Sequence, residues 1–207
     1  MVNILETLKQ VKAIMTDDHF VGTKGPHFST YINKDALYPH IAETSAVCEQ
    51  FAEQFVPFNA DIVAGPALGG IILSQWTAYH LGLKTGKPVL SVYAEKKDGD
   101  LQLTRGYDAL VKGKNVVVVE DLTTTGGSLK QAIAAVQQAG GNVVAAAVMV
   151  NKNPTQVTSE FFGVPFFALT ELPVELYSAE DCPLCKSGVP INTTIGHGQK
   201  FLDSKKQ

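Results

Sequence analysis

The chain has 207 residues, 45% hydrophobic and 18% charged, enough for one large domain with a sizeable core. Lysine and arginine total 17 against 20 aspartates and glutamates, a net charge of -3, which is not the basic balance of a nucleic-acid-binding surface. No apolar run reaches the ~18–20 residues of a membrane span, the N-terminus lacks the pattern of a signal peptide, and three cysteines are too few for a disulfide framework. These features predict a cytoplasmic α/β protein with no nucleic-acid or membrane partner.

In chain order, residues 4–15 place Ile4, Leu5, Leu8, Val11 and Met15 at helical spacing. Residues 19–35 are polar and aromatic and too irregular for a helix. Residues 36–55 read as a second helix, 61–64 as a short buried strand, 68–83 as a helix and 88–93 as a strand. Residues 95–114 are charged and glycine-punctuated, with nothing to bury, and are predicted to be a mobile loop. Residues 115–119 are almost pure valine, so both faces of that strand are predicted to be covered. A helix at 127–139 and strands at 142–150 and 164–169 follow. The tail, 180–207, contains Cys182-Pro183-Leu184-Cys185 and is predicted to fray beyond about Gly196. The alternation predicts a central, mostly parallel sheet flanked by helices.

The segment that carries chemistry is Val116-Val117-Val118-Val119-Glu120-Asp121-Leu122-Thr123-Thr124-Thr125-Gly126-Gly127-Ser128-Leu129. A buried strand ends in two carboxylates, and a loop of threonines and glycines leads into a helix. The carboxyl edge of a parallel strand is where α/β sheets place ligands. Glycines let backbone N–H groups approach an anion, and the helix N-terminus adds a favourable dipole. Thr124, Thr125 and Ser128 add hydroxyl donors, so the cup suits a phosphate monoester. Glu120 and Asp121 would repel a bare phosphate, but they accept hydrogen bonds from ribose hydroxyls and suit a nearby Mg²⁺. Together they describe a sugar phosphate site. The segment lacks the Gly-Lys-[Ser/Thr] ending of a Walker A loop and the Gly-x-Gly-x-x-Gly of a dinucleotide turn.

This string resembles the signature with which type I phosphoribosyltransferases bind phosphoribosyl pyrophosphate. Further stretches are similar to the orotate branch of that family. They are the segment Gly22-Thr23-Lys24-Gly25-Pro26-His27-Phe28-Ser29-Thr30-Tyr31-Ile32-Asn33-Lys34, the turn Gly65-Pro66-Ala67-Leu68-Gly69-Gly70, the charged run from Glu95 to Tyr107, and Asp181-Cys182-Pro183-Leu184-Cys185. The turn at 65–70 again joins a strand to a helix and is a second anion-ready turn.

The resemblance implies one phosphoribosyltransferase domain over 1–207, with a core at about 36–170 and a small hood from about 18–35 plus 171–195. It implies transfer of 5-phosphoribosyl from phosphoribosyl pyrophosphate to a nucleobase, orotate first, with release of pyrophosphate. Purine-base salvage and a catalytically silent sensor of the donor are the alternatives. Glu120, Asp121, Thr123, Thr124, Thr125, Gly126, Gly127, Ser128, Ala67, Leu68 and Gly69 are the implied donor-binding residues. Lys96, Lys97 and Arg105, with Asp121, are the implied catalytic set, the cations closing as a lid over pyrophosphate. Lys24, His27, Tyr31, Ile32 and Lys152 are the implied base-binding residues. Mg²⁺ is implied through substrate and water, with no direct protein ligand, and a homodimer with each loop reaching its neighbour's site is the implied assembly.

The chain departs from that pattern at Asn151-Lys152, where the family carries Asp-Arg, so the charge is kept and the bidentate fork is lost. The charged loop also lacks the family's histidine. Cys182 and Cys185 have zinc-knuckle spacing, but a tetrahedral site needs four ligands. Cys48 falls in a predicted helix and His197 is the nearest third candidate, so a packed pair of buried thiols is favoured over zinc.

Overall fold

The computed structural model describes residues 2–23 and 25–205. Helix α1 (Ile4–Gln10) opens the chain, capped by the Asn3 side chain. Four two-residue strands follow: β1 (Ile14–Met15), β2 (Phe20–Val21), β3 (His27–Phe28) and β4 (Tyr31–Ile32). β1 pairs with β4 and β2 with β3, all antiparallel. The core then alternates helix and strand, except for one hairpin of two successive strands. In order it runs α2 (Ile41–Phe55), β5 (Ile62–Pro66), α3 (Gly69–Thr85), β6 (Leu90–Lys97), β7 (Asp100–Leu103), α4 (Tyr107–Val111), β8 (Asn115–Thr123), α5 (Gly127–Gln138), β9 (Asn142–Asn151), α6 (Ser159–Phe162) and β10 (Phe166–Glu171). Short helices α7 (Pro183–Lys186) and α8 (Gly198–Ser204) close the described chain.

One six-stranded sheet has the order β10-β9-β8-β5-β6-β7. Every neighbouring pair is parallel except β6 and β7. The valines of β8 explain why it sits at the centre. Val117 and Val119 join a core with α2 and α3, while Val116 and Val118 join the opposite core with Leu129, Ile133 and Val136 of α5. Side chains alternate across a strand, so a valine run buries both faces at once.

Four expectations are corrected. The first helix ends at Gln10, because Lys12 takes a left-handed turn (φ 55°) and Ile14–Met15 pairs with β4 instead. The helix predicted from residue 36 starts at Ile41, since Pro39 excludes helical backbone at the residue before it. The predicted loop at 95–114 is mostly regular secondary structure. β6 runs on to Lys97, β7 returns antiparallel, and α4 follows, with Leu101 only 7% exposed and Val111 fully buried. These two apolar side chains are anchors within an otherwise charged run. The tail does not fray at Gly196, because the His197 N–H donates to Val21 O and α8 packs on β2.

Candidate active site

The parity of β8 separates the two carboxylates. Asp121 follows Val119 toward the α2 and α3 side, and Glu120 falls on the α5 side. Both are buried. Asp121 Oδ2 accepts the Tyr38 hydroxyl at 2.9 Å and the Lys34 ammonium at 3.0 Å, while its Oδ1 accepts the Leu122 N–H at 2.7 Å. Burial pulls the Lys34 ammonium down, but the charge and hydrogen bond of Asp121, together with those of Asp35, outweigh it and hold Lys34 above the ordinary lysine value. Burial, then Asp121, raises the Tyr38 phenol, so it stays a donor. No ion pair reaches Glu120 among the described residues, and Lys34 acts on it only through its charge. Burial, reinforced by the neighbouring Asp121 charge, lifts its carboxyl well above the usual carboxylate range.

The turn at 123–128 follows directly. Gly126 has φ 75°, and its N–H donates to Thr123 Oγ1 at 3.0 Å, which draws the loop into a cup ahead of α5. Helix α5 opens on that cup with unpaired backbone N–H groups, the arrangement that favours an anion. The cup encloses about 210 Å³ and is lined by residues 122–129 alone.

Because β5 lies beside β8, its own turn, Ala67, Leu68 and Gly69, stands next to the acid pair. The Ala67–Leu68 peptide is cis. A second cavity of about 210 Å³ is bounded by that turn, Lys34, Lys96, Leu101, Glu120, Asp121, Ser128 and Gln131. A third, of about 280 Å³, holds Thr124, Lys152, Pro173 and Val174. The 122–129 cup shares Leu122 and Ser128 with the second cavity and Thr124 with the third, so the three lie side by side along the sheet's carboxyl edge.

Lys152 enters this cleft because β9 pairs with β8, and its own N–H donates to Thr123 O at 2.8 Å. Its ammonium lies 5.8 Å from the Phe28 ring centre and faces no carboxylate among the described residues. Burial lowers its pKa from the ordinary lysine value.

The remaining sequence candidates divide. Lys96 lines the acid-pair cavity. Lys97 is exposed, and Arg105 is tied to Glu95 at 3.1 Å, outside the three cavities. His27 does not reach the cleft: its ring is fully buried against His19, Cys185 and Phe201. The Ile32 side chain lies in the core under α2, which leaves only its backbone to face a ligand. Tyr31 stacks on Phe28 and meets Phe20 at a tilt. Lys24 lies outside the described residues. Sequence reasoning missed Lys34, Tyr38 and Gln131. Lys34 ended a quoted motif, but nothing local tied it or Tyr38 to Asp121.

A family model described as the phosphoribosyl transferase domain matches residues 35–165. The orotate phosphoribosyltransferase of Caldanaerobacter subterraneus subsp. tengcongensis is 34% identical over 188 residues, covering 91% of this chain and 93% of that protein. That of Thermotoga maritima is 36% identical over 198 residues, covering 95% and 100%. In solved structures, the orotate phosphoribosyltransferase of Mycobacterium tuberculosis is similar in fold, with a TM-score of 0.64 at 21% identity over 82% of this chain and 96% of that one.

Proposed function

The chain belongs to the phosphoribosyl transferase domain family, and on that footing we propose that it transfers the 5-phosphoribosyl group of phosphoribosyl pyrophosphate to orotate, giving orotidine 5'-monophosphate and pyrophosphate. The observation that carries the choice of base is Lys152. A half-buried ammonium with no carboxylate beside it, at the end of the strand next to the phosphate cup, is matched to an anionic base. The relatives at 34% and 36% identity, both orotate phosphoribosyltransferases, point the same way.

The three cavities support the following roles. The 123–128 cup takes the 5'-phosphate, with Thr124, Thr125 and Ser128 donating alongside backbone N–H groups. Glu120 and Asp121 accept the ribose hydroxyls. The 67–69 turn and Lys96 hold the pyrophosphate. As the bond from C1' to pyrophosphate breaks, positive charge grows on the ribose ring and negative charge on the leaving group. The acid pair faces the first and Lys96 the second. Lys34 and Tyr38 hold Asp121 in place. The carboxylates are hard oxygen donors, and Glu120 forms no ion pair among the described residues, so the site fits Mg²⁺ carried in by the donor. Bound there, Mg²⁺ supplies charge neutralisation of the pyrophosphate.

Residues about 18–35 with 171–195 form the cover of the base side in this proposal, joined where His27 and Tyr177 exchange backbone hydrogen bonds. The assembly we favour is a homodimer, and α3 offers Tyr79 and Leu83 as exposed apolar surface for it. No helix among the described residues is long and apolar enough to cross a membrane, in keeping with a cytoplasmic location.

The test is pyrophosphate release from phosphoribosyl pyrophosphate with orotate, adenine, hypoxanthine and xanthine side by side. Release with orotate alone is expected. Release with a purine and not with orotate sinks the assignment of the base while leaving the phosphoribosyl cup intact.

A further inference from the structure

Away from the catalytic cleft, His19, His27, Cys182 and Cys185 bring one ligand atom each to within 4.8 Å of one another. We propose that these four side chains bind a structural Zn²⁺ through His19 Nε2, His27 Nδ1 and both cysteine sulfurs.

Three sulfur–nitrogen distances are close to those of a tetrahedron. Bonds of about 2.3 Å to sulfur and 2.0–2.1 Å to nitrogen set neighbouring sulfur and nitrogen ligands about 3.5 Å apart. Here Cys182 Sγ is 3.6 Å from His19 Nε2, and Cys185 Sγ is 3.8 Å from His19 Nε2 and 3.4 Å from His27 Nδ1. The two ring nitrogens share a hydrogen bond at 2.7 Å, which an ion would replace by parting them to about 3.3 Å. Orientation is set from outside the cluster. His19 Nδ1 lies 2.8 Å from Val189 O, a bond only an N–H donor can make, so in the neutral ring Nε2 turns its lone pair inward. Both cysteines come from one turn, with Cys182 capping α7 and Cys185 in its last turn.

The donor set selects the metal. Two thiolates and two imidazoles suit Zn²⁺ and not Mg²⁺, so this ion is distinct from the one the donor carries. Each thiol gives up its proton on binding, and two thiolates balance the ion's charge, leaving a neutral centre that tolerates burial. The partners that complete it are His19 and His27, neither of which spacing suggested. Cys48 is buried in α2, and His197 bonds to Thr23.

The site also has work to do. It joins the β2–β3 hairpin to the C-terminal segment, where strands are two residues long and α7 is four. Elements so short bury little apolar surface, and small units of this kind are commonly held by a metal.

The test uses untagged protein, purified reduced and without chelator, and measures zinc by elemental analysis. One zinc per chain is expected, falling to background in Cys182→Ser and Cys185→Ser and unchanged in Cys48→Ser. Replacement by Co²⁺ should give the intense d–d bands of a tetrahedral site with thiolate charge-transfer absorption. Chelator should lower the Tm of wild type, and added Zn²⁺ should restore it, so the result does not hang on variants that misfold. Binding of phosphoribosyl pyrophosphate to each variant reports that the sheet and phosphate cup remain folded. Reduced wild type that takes up neither Zn²⁺ nor Co²⁺ overturns the proposal, as does zinc retained by both cysteine variants.

Discussion

A Cβ on Gly69 would lie 2.1 Å from Asp121 Oδ2 and 2.3 Å from the Tyr38 hydroxyl. The first residue of α3 has no side chain because the carboxylate, with the tyrosine that holds it, occupies that space. Gly69→Ala should therefore push Asp121 off Tyr38 and Lys34. A displacement of about 1 Å at a reacting centre costs on the order of 100-fold, so kcat/KM should fall by about that factor. Steady-state kinetics with the fold monitored by circular dichroism checks this, and unchanged turnover removes Asp121 from the site.

Lys152 gives a prediction with a pH signature. Lys152→Ala should raise the KM for orotate by about 30-fold, the equivalent of about 2 kcal/mol for a charge-assisted bond. Binding needs the ammonium, so in wild type the KM should climb as pH rises through a value below that of an ordinary lysine. Lys152→Arg keeps its charge throughout, so it should retain activity and lose that alkaline limb. A wild-type KM independent of pH up to the ordinary lysine range contradicts the role.

Glu120 trades stability for function. Its folded pKa is raised, so the folded state holds the proton longer than the unfolded chain. Its contribution to stability is fullest below the unfolded value and is lost as pH rises through the folded one. Glu120→Gln, neutral at every pH, should match wild type near pH 4 and melt a few degrees higher at alkaline pH, at about 2–4 °C per kcal/mol for a domain of this size. Turnover should drop in the same variant. Paired thermal melts across pH decide it.

Both lysines of the charged hairpin are exposed, and of the two Lys96 alone lines the acid-pair cavity. Lys96→Ala should cut kcat by about 100-fold with little change in donor Kd, as expected for a group that acts as charge develops on the leaving group. Lys97→Ala, at an exposed position, should stay within about twofold, as surface substitutions usually do. Rapid-quench rates beside calorimetric donor binding distinguish the two. Equal losses at both positions contradict the assignment of Lys96 to the cavity.

The two glycines of the cup should also part company. At Gly126, φ 75° and a Cβ that would meet Phe161 Cε1 at 2.4 Å make Ala costly in stability and in donor binding alike. At Gly127 an added Cβ meets nothing closer than 3.5 Å, and a helix start gains from Ala. Gly127→Ala should keep or slightly raise Tm, so any loss of donor affinity there belongs to the cup itself. Differential scanning calorimetry with isothermal titration separates the two effects.

What the sequence made legible was local. The strand, acid pair, cup and helix of β8–α5 lie in one unbroken stretch, and each part leaves a pattern of its own. The Tyr38 contact to Asp121 spans 83 residues and depends on how the segment before α2 folds over the sheet edge, which no periodicity records. The hairpin after β6 was hidden because one buried residue in an otherwise charged run, Leu101, suffices to anchor it. His27 sat in a recognisable motif, but its ring faces sulfur atoms supplied more than 150 residues later in the chain. Composition predicted a frayed tail because its polar residues make their bonds to β2 and β3 rather than to a core.

The joining of the two ends of the chain also fixes an order of assembly. His19 meets Val189 across 170 residues of sequence, and Val21 receives His197. During synthesis the sheet, the 122–129 cup and Lys152 have all emerged once β10 is made, while the contacts that tie down β2 and the segment before it must wait for residues 189–197. The N-terminal hairpin is therefore among the first parts of the chain to be synthesised and among the last to be fixed in place.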